Sequence, residues 1–217
     1  MTHNFSVSYI CEKGKVLAKN TINTASNHFP TVGAFGLKNK KFSAEWIESY
    51  DPNFETYRFK SPNPVPGPAA NKNNGELWNV EEGIGAGPVL VKNGYVVDGN
   101  PENFNMNNMI NFRHPRSAIC IDIHNRLLLV AIDGRYDGSD GVTMPELSEI
   151  MLLLDCYDAL NLDGGGSTLL YANNRIINRP SDGSGPRPVV SAVLVRDRVK
   201  PKQPYDQLLD LINHTGN

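Results

Sequence analysis

The sequence predicts a single α+β domain that is rich in strands and contains few helices. Three observations predict this class: many short runs of β-branched and aromatic residues, turn residues between those runs, and one segment with helical periodicity. The 217 residues include 19 Gly and 15 Pro, a composition typical of a chain with many turns. No internal repeat and no domain boundary is evident, so we treat residues 1–217 as one domain.

The first third of the chain is predicted to form short strands. The run from Phe5 to Cys11 alternates polar and apolar residues, and a Lys13-Gly14 turn separates it from a second run, Lys15 to Ala18. The proline- and asparagine-rich stretch from Ser61 to Gly75 indicates a surface loop. Further strands are predicted at Val32 to Leu37 and Thr56 to Phe59.

The middle of the chain carries a hairpin signal and two buried-strand signals. Asn93-Gly94 lies between the apolar runs Val89 to Val91 and Tyr95 to Val97, and Asn-Gly in this position favours a tight hairpin turn. The polar stretch from Asn100 to Asn111 is predicted to be irregular. Two short apolar runs then predict buried strands, at Ser117 to Ile123 and Leu127 to Asp133.

One helix is predicted after these strands. Thr143 and Glu146 form a capping-box pattern, and Pro145 lies in the first turn, where proline is tolerated. Leucine, isoleucine and methionine then recur at helical spacing, which gives the helix one apolar face. These residues are Leu147, Ile150, Met151 and Leu154.

The last quarter is predicted as a strand, a hairpin, a central strand and a closing helix. The strand Asp158 to Leu162 runs into a glycine-rich segment, and an Asn173-Asn174 turn follows. Val189 to Val195 is apolar at almost every position, as expected of a strand buried on both faces. The two hairpin arms are Leu169 to Tyr171 and Ile176 to Ile177, and the closing helix is Gln203 to Ile212.

Charge and cysteine content exclude several classes of protein. A net charge of −2 gives no general attraction to nucleic acid, and no apolar run is long enough to span a membrane. Met1 to Ser6 lacks the pattern of a secretory signal. Cys120 and Cys156 lie in apolar runs and are predicted to be buried free thiols, because three widely spaced cysteines match neither a zinc site nor a disulfide framework.

The most informative segment runs from Asn161 to Thr168 and contains three consecutive glycines. Glycine lets backbone N–H groups approach an anion or a sugar closely, although a tight bulge at the end of a core strand would explain the glycines equally well. A P-loop would continue with Lys-Ser/Thr, and a dinucleotide-binding loop would open a helix. Neither pattern is present. The candidate binding residues here are Asn161, Gly164, Gly165, Gly166, Ser167 and Thr168, with Asp163 as a candidate catalytic residue.

Other candidate residues lie at the ends of predicted strands. Arginine is suited to phosphate because its planar fork stays charged at any working pH. A surface loop or a structural ion pair would explain these strand-end residues equally well. A lone histidine, His114, carries little weight. The candidates are Asp133, Arg135, Arg116, Arg179, Ser181, Asp182 and Arg187. No GxSxG or HExxH motif supports acyl transfer or a zinc enzyme.

Several of these segments resemble the phosphodiester glycosidase family. The resemblance extends from about Gly83 to Val195, and Asn161 to Ser167 is its most specific part. The Asn-Gly-Gly-Phe-Phe-like segment usual in the family is not found ahead of this region. The matching pieces are Gly87 to Gly94, His114 to Ile119, Val130 to Arg135, Met144 to Leu147, Ala159 to Thr168, Arg179 to Asp182, and Arg187 to Val189.

The resemblance implies hydrolysis of the sugar C1–O bond of a sugar-1-phosphodiester, with N-acetylglucosamine as the expected sugar, in an extracytoplasmic or cell-envelope location. It suggests that Arg116 and Arg187 hold phosphate, and that Asp163 and the glycine backbone orient the sugar. Asp133 and Asp182 are then the carboxylates that stabilise the sugar cation or activate water. The alternatives are a non-catalytic glycan- or cell-wall-binding module and a phosphodiesterase that cuts the P–O bond. No cofactor is specified beyond one hard divalent cation, for which the candidate ligands are Asp133, Asp137, Asp140 and Asp163.

Overall fold

The described strands lie in two antiparallel sheets and one separate hairpin. The computed structural model describes residues 6, 8–20, 31–63, 69–98, 102 and 107–196. The outer sheet has the order β2-β1-β7-β3-β4-β5-β6, with β1 Ile10–Glu12, β2 Lys15–Ala18, β3 Val32–Lys38, β4 Lys41–Tyr50, β5 Glu55–Phe59, β6 Glu76–Leu77 and β7 Glu82–Gly85. The central sheet has the order β11-β10-β12-β8-β9, with β8 Val89–Lys92, β9 Tyr95–Val96, β10 Arg116–Asp122, β11 Leu127–Ile132 and β12 Cys156–Asn161. The hairpin is β13 Tyr171–Ala172 with β14 Arg175–Ile176, and the helices are α1 Asn107–Ile110 and α2 Met144–Leu153.

This architecture is mostly β, so the α+β prediction holds only approximately. Most predicted strands are present to within two residues at each end. The first predicted strand begins only at Ile10, because Ser8 and Tyr9 are described and are not part of a strand, while Phe5 and Val7 lie outside the described residues. The longest strand, β4, and the short strands β6 and β7 were not predicted. The helix α1 lies in the stretch Asn100 to Asn111, which was predicted to be irregular. The predicted helix from Gln203 to Ile212 also lies outside the described residues.

The central sheet is covered on both faces, which explains why Ala118 to Ile121 of β10 form a continuous apolar run. On one face, Ala118 and Cys120 pack with Leu147 and Met151 of α2. On the other face, Ile119 packs against the outer sheet in a cluster completed by Phe35, Ala44, Trp46, Val89, Ile121 and Leu160. Alternate residues of β10 therefore serve two different cores, as the period of a strand requires.

Helix α2 begins as the sequence predicts. The Thr143 hydroxyl accepts from the backbone N–H of Glu146 at 3.3 Å, and the Glu146 carboxylate accepts from the backbone N–H of Thr143 at 2.9 Å. These reciprocal bonds satisfy two N–H groups at the helix start. They lower the pKa of the Glu146 carboxyl, chiefly through the backbone hydrogen bond to Thr143. Among the described residues, no helix is long and apolar enough to span a membrane.

The prediction that Cys120 and Cys156 are free thiols is wrong. The two residues form a disulfide between neighbouring strands β10 and β12, with their Cα atoms 5.9 Å apart. Linear spacing concealed this pair because strand pairing brings together residues that are 36 positions apart. Cys11 is the free, buried cysteine, and burial raises the pKa of its thiol.

We expect the Cys120–Cys156 bond to stabilise the fold by about 4 kcal/mol, because it closes a long loop in the unfolded chain. Alkylation of the unfolded, unreduced protein should label one cysteine per chain, and prior reduction should raise this number to the three cysteines of the sequence. Calorimetry should show a lower Tm for the Cys120→Ala/Cys156→Ala double variant. Three labelled cysteines without reduction would show that the bond is absent.

The prediction of a central strand at Val189 to Val195 is also wrong. No described strand pairs with this segment, and Val190 and Leu194 are 58% and 76% exposed. Only Val193 of this run packs against the core between the two sheets. Apolar composition predicts burial, but a strand also needs a hydrogen-bonded neighbour, and composition does not specify that neighbour.

Two groups of buried charged residues connect the two sheets through hydrogen bonds. Lys92 donates to Glu45 at 3.2 Å and to Asp158 at 3.1 Å, and both carboxylates are buried. Glu102 accepts hydrogen bonds from Trp46 Nε1 at 2.9 Å and from the backbone N–H groups of Val89 and Gly33 at 2.6 and 3.0 Å. Burial raises the pKa of the Glu102 carboxyl, although the three donors oppose the rise. The bond to Val89 fixes the start of β8, next to the candidate site.

Candidate active site

The three glycines form a tight bend where β12 leaves the central sheet. Gly165 has φ +59°, a left-handed conformation, and its N–H donates to the Pro115 carbonyl at 2.9 Å. A methyl group on Gly164 would stand 2.7 Å from the same carbonyl. The bend is therefore pressed against the start of β10, and both positions need glycine for structural reasons. A tight bulge at the end of the strand therefore explains Gly164 and Gly165, but it does not explain Gly166.

Gly166 is required by two side chains from the following loop. A methyl group here would overlap both carboxylate oxygens of Asp182 and would stand 2.5 Å from Arg187 Nη2. Arg187 donates to Asp182 Oδ2 through Nε at 3.0 Å, and its Nη2 lies 2.9 Å from the same oxygen. Arg187 is therefore already paired with a carboxylate. The structure therefore has Asp182 and Arg187 beside the glycine bend as an ion pair.

Arg135 lies over the neighbouring glycine. A methyl group at Gly165 would stand 3.0 and 3.1 Å from Nη1 and Nη2 of Arg135. Arg135 itself has φ +63°, a conformation that an arginine adopts at some energetic cost and that occurs often at functional sites. Its Nη2 lies 3.2 Å from His114 Nδ1. Among the described residues, no carboxylate forms an ion pair with Arg135.

Arg116 has a different role from the predicted phosphate ligand. The residue is only 3% exposed, and its guanidinium donates to the carbonyls of Val142 at 3.0 Å, Met109 at 2.6 Å and Phe112 at 3.1 Å. Burial and, to a smaller extent, the charge of Arg135 lower the pKa of Arg116. Because backbone carbonyls already occupy this guanidinium, Arg116 positions the chain around the site instead of facing the solvent.

Asp133 is also occupied by the chain itself. Its two carboxylate oxygens accept from the backbone N–H of Arg179 at 2.9 and 3.0 Å, and Oδ1 also accepts from Asn178 Nδ2 at 3.1 Å. Asn178 donates as well to the Thr168 carbonyl at 3.1 Å. Asp133 therefore connects the loop that carries Asp182 to the end of β11. Both of its carboxylate oxygens already accept hydrogen bonds from that loop, so the contacts do not support the predicted catalytic role.

The remaining predicted residues surround the bend. Asp163 is exposed, and its carboxylate accepts from the N–H of Gly164 at 2.9 Å. Asn161 is buried and donates to the Gly87 carbonyl at 2.8 Å. The guanidinium of Arg179 stacks 4.3 Å above the ring of Tyr136. Ser167 is half-buried in the bend. Three buried oxygens near the bend have no hydrogen-bond partner in the described protein: Asn161 Oδ1, Thr168 Oγ1 and Ser181 Oγ.

Sequence reasoning missed two residues of this site. Asn178 directly precedes Arg179 in a segment that was already singled out, so its amide could have been recognised as a loop tether. His114 gave no signal as a lone histidine, and only its position beside Arg135 makes it part of the site. The predicted cation ligands do not come together, because no three His, Cys, Asp or Glu residues in the described ranges form a metal-binding group.

The family model for phosphodiester glycosidases matches residues 2–196. The chain belongs to this family. Membership accounts for the motifs from Gly87 to Val189 and for the fold, which resembles a solved catalytic domain of the family.

Phosphodiester glycosidase relatives match this chain over a limited part of their length. The N-acetylglucosamine-1-phosphodiester alpha-N-acetylglucosaminidases of Bos taurus and Homo sapiens are both 33% identical, over 37% and 39% of this chain and 15% and 16% of their own. The SPbeta prophage-derived uncharacterized protein YomE of Bacillus subtilis is 36% identical over 34% of this chain and 12% of its own. This chain therefore matches only a small fraction of each relative.

Solved structures support the same fold. The zebrafish N-acetylglucosamine-1-phosphodiester alpha-N-acetylglucosaminidase catalytic domain, auto-inhibited by its pro-peptide, superimposes with a TM-score of 0.53 at 18% identity, covering 85% of this chain and 55% of that one. A hypothetical protein from Synechocystis gives 0.52 at 19% identity, covering 80% and 45%. At this identity the likeness shows the shared fold alone, and this chain spans about half of each structure.

Proposed function

We propose that this phosphodiester glycosidase family member hydrolyses the C1–O bond of a sugar-1-phosphodiester and releases a sugar and a phosphate monoester. The observation that carries the proposal is the unpaired guanidinium of Arg135 on Gly165, next to the carboxylate of Asp182 on Gly166. A guanidinium and a carboxylate thus lie against adjacent glycines of one bend, which supports the binding of a phosphate beside a sugar. The names of the mammalian relatives describe this type of reaction for those proteins.

Arg135 is the arginine whose contacts best suit a phosphate ligand. Arg187 is neutralised by Asp182, and Arg116 is buried against backbone carbonyls. A phosphodiester carries one negative charge, which one unpaired guanidinium can balance, and a planar fork can hold two of its oxygens. The nearby charge of Arg116, which has no carboxylate partner among the described residues, adds to the positive potential.

Asp182 is the carboxylate placed to act on the sugar. Arg187 holds its Oδ2, and Gly166 leaves room for the carboxylate against the bend. As the C1–O bond breaks, its electron pair leaves with the phosphate monoester and positive charge develops at C1, which a carboxylate stabilises. Water then bonds to C1 and loses one proton, so the products are a free sugar and a phosphate monoester. Because phosphate is a good leaving group, the reaction makes little demand on a general acid.

Arg135→Ala should lower kcat/KM on an N-acetylglucosamine-1-phosphodiester by about 100-fold or more, because charge stabilisation at the departing phosphate is lost. The measurement is release of N-acetylglucosamine by the full chain, with UDP-N-acetylglucosamine as a second substrate. Arg175→Ala is the matched control, because Arg175 is an exposed arginine of β14. Wild-type turnover by Arg135→Ala would reject the phosphate role.

Hydrolysis in heavy-oxygen water separates the proposal from its alternatives. Label in the sugar supports cleavage of the C1–O bond, whereas label in the phosphate would identify a phosphodiesterase that cuts the P–O bond. Binding of the diester without any product over long incubation would instead identify a glycan-binding module.

A cell-envelope or other extracytoplasmic location is proposed as well. It is supported by the Cys120–Cys156 disulfide, since disulfides persist in oxidising compartments.

A further inference from the structure

The outer sheet carries a group of exposed lysines at one of its ends. Strands β1 and β2 are joined by the turn Lys13-Gly14, and strands β3 and β4 are joined by the turn Asn39-Lys40. Because β1 and β3 both pair antiparallel with β7, which lies between them, the two turns lie at the same end of the sheet. We call the five exposed lysines of these turns and of the adjoining strand ends the lysine row: Lys13, Lys15, Lys38, Lys40 and Lys41.

Two glutamates fix the positions of the turns relative to each other. The Glu81 carboxylate accepts from the backbone N–H of Asn39 at 2.8 Å, and the Glu81 carbonyl accepts from the N–H of Gly14 at 2.8 Å. The Glu82 carboxylate accepts from the backbone N–H of Lys13 at 3.3 Å. The lysine row is therefore a fixed feature of the sheet, and both of these carboxylates bind backbone groups.

The lysine row carries more positive charge than its surroundings neutralise. Within the described chain, its one ion pair joins Lys13 to Glu12 at 3.4 Å, between side chains that are 83% and 58% exposed. An exposed pair of this kind contributes little. Five ammonium groups thus stand against the three carboxylates of Glu12, Glu81 and Glu82, so this end of the sheet is positive although the whole chain has a net charge of −2.

Several of these lysines occupy positions that local energetics disfavour. Lys13 and Lys40 have φ +51° and +63°, left-handed conformations for which tight hairpin turns prefer asparagine or glycine. Lys38 and Lys41 lie directly opposite each other on β3 and β4, where two like charges destabilise the pairing. Departures from local preference cluster where a residue serves a purpose other than folding. The positive charge at these turns is therefore a candidate for such a purpose.

We propose that the lysine row docks a linear polymer of polyol units joined by phosphodiesters, with successive phosphates lying across the strand ends from β2 to β4. Four strand spacings make the row about 19 Å long, so one polymer chain can meet several lysines. Lysine is a compact point charge with three rotatable donors, which suits phosphate oxygens approaching from different directions. The inference does not depend on the proposed hydrolysis, because none of these lysines belongs to the candidate active site.

Other polyanions fit this surface less well. Single-stranded nucleic acid is held largely by the stacking of its bases on aromatic side chains, and a peripheral membrane contact uses apolar side chains that enter the lipid. In the described part of the two hairpins no aromatic side chain is exposed, and Leu17, at 51%, is the one large apolar residue that is exposed. Carboxylate polymers are matched best by the planar fork of arginine, and the lysine row contains no arginine.

Fluorescence anisotropy with end-labelled poly(glycerol phosphate) tests the docking surface on the full chain. This polymer has no anomeric carbon, so the proposed hydrolysis does not consume it. We expect the association constant to fall about 20- to 100-fold between about 50 and 200 mM salt. The reason is that about three to five neutralised phosphates each contribute about 0.7 to the slope of log K against log salt concentration.

Lys40→Gln/Lys41→Gln should weaken this binding about 20-fold at about 0.1 M salt and flatten the salt slope by about 1.4, because two phosphate contacts are lost. Lys19→Gln/Lys72→Gln is the matched control and should bind like the wild type. It removes the same charge at the other end of the same sheet, where both lysines form ion pairs of their own. Lys40→Gly should weaken binding without lowering the Tm, because glycine suits the left-handed turn position.

The remaining outcomes separate this inference from its alternatives. No binding of poly(glycerol phosphate), or equal weakening in the two double variants, would overturn the docking surface. Tighter binding of oligothymidylate or of phosphatidylglycerol vesicles would assign the row to nucleic acid or to a membrane and overturn the proposed partner. Equal affinity for polyglutamate would overturn the preference for phosphate. Lys40→Gln/Lys41→Gln should hydrolyse a sugar-1-phosphodiester at the wild-type rate, so a failure of docking and a failure of the proposed function are distinguishable.

Discussion

Gly166→Ala should lower kcat/KM on a sugar-1-phosphodiester by about 100-fold with little effect on folding. The added methyl group would occupy the position of the Asp182 carboxylate and would press on Arg187, so this ion pair must move away from the bend. A displacement of about 1 Å in a catalytic group is sufficient for a loss of this size. Gly166 does not have a positive φ, so its backbone accepts alanine without strain.

The control for this variant lies in the same loop as Asp182. Gly183→Ala should keep wild-type activity, because a methyl group there meets no atom within 4 Å and Gly183 does not have a positive φ. Urea unfolding of both variants should give free energies within about 1 kcal/mol of the wild type, because the methyl group of Gly183→Ala meets no atom and that of Gly166→Ala displaces only the side-chain ends of Asp182 and Arg187. Full activity in Gly166→Ala would show that the position of Asp182 on the bend is not needed for the reaction.

Lys92→Met should destabilise the fold by about 3–5 kcal/mol, the usual cost of removing one partner from a buried ion pair. Lys92 is the ammonium group between Glu45 and Asp158, and these carboxylates are only 6% and 3% exposed. Without it, the buried Asp158 would keep only the backbone N–H donors of Ala44 and Asn93, whereas Glu45 would keep its ion pair with Arg58. The measurement is the free energy of unfolding in urea, followed by the fluorescence of Trp46 and Trp78, both of which are buried.

Lys72→Met is the matched control for this prediction. Lys72 forms an ion pair of 3.5 Å with Glu55 in which both side chains are about half exposed, and such pairs contribute about 0–1 kcal/mol. The two lysine variants therefore differ in the burial of the carboxylates that they leave behind. Similar unfolding energies for both would mean that Lys92 contributes no more than a surface charge.

Local patterns predicted much of the fold. The capping box of α2, the Asn93-Gly94 hairpin and the buried run of β10 are encoded by residues that are close in sequence, and each is confirmed. β4 was missed because polar residues such as Glu45 interrupt its apolar pattern, and Lys92 compensates for that charge from another sheet. Val189 to Val195 was mispredicted for the opposite reason, since its apolar residues have no strand beside them within the described chain.

The candidate site, like the fold, was predicted only where neighbouring residues determine the structure. The glycine motif indicated where the bend lies and which family the chain belongs to, because backbone conformation and motif spacing are properties of neighbouring residues. Neighbouring residues in the sequence do not determine which arginine lacks a carboxylate partner. Arg116, Arg135 and Arg187 look alike in the sequence, and only their surroundings make one a buried clamp, one an unpaired cation and one the partner of Asp182.

The sequence by itself determined the strand-rich class, the helix α2, the glycine bend and the family. Only the tertiary structure decided the disulfide and the contacts of Asp133 and of the arginines. The physical reason is that backbone preferences act over a few residues, whereas the partner of a charge or a thiol is chosen by strand pairing across many positions, as with Cys120 and Cys156.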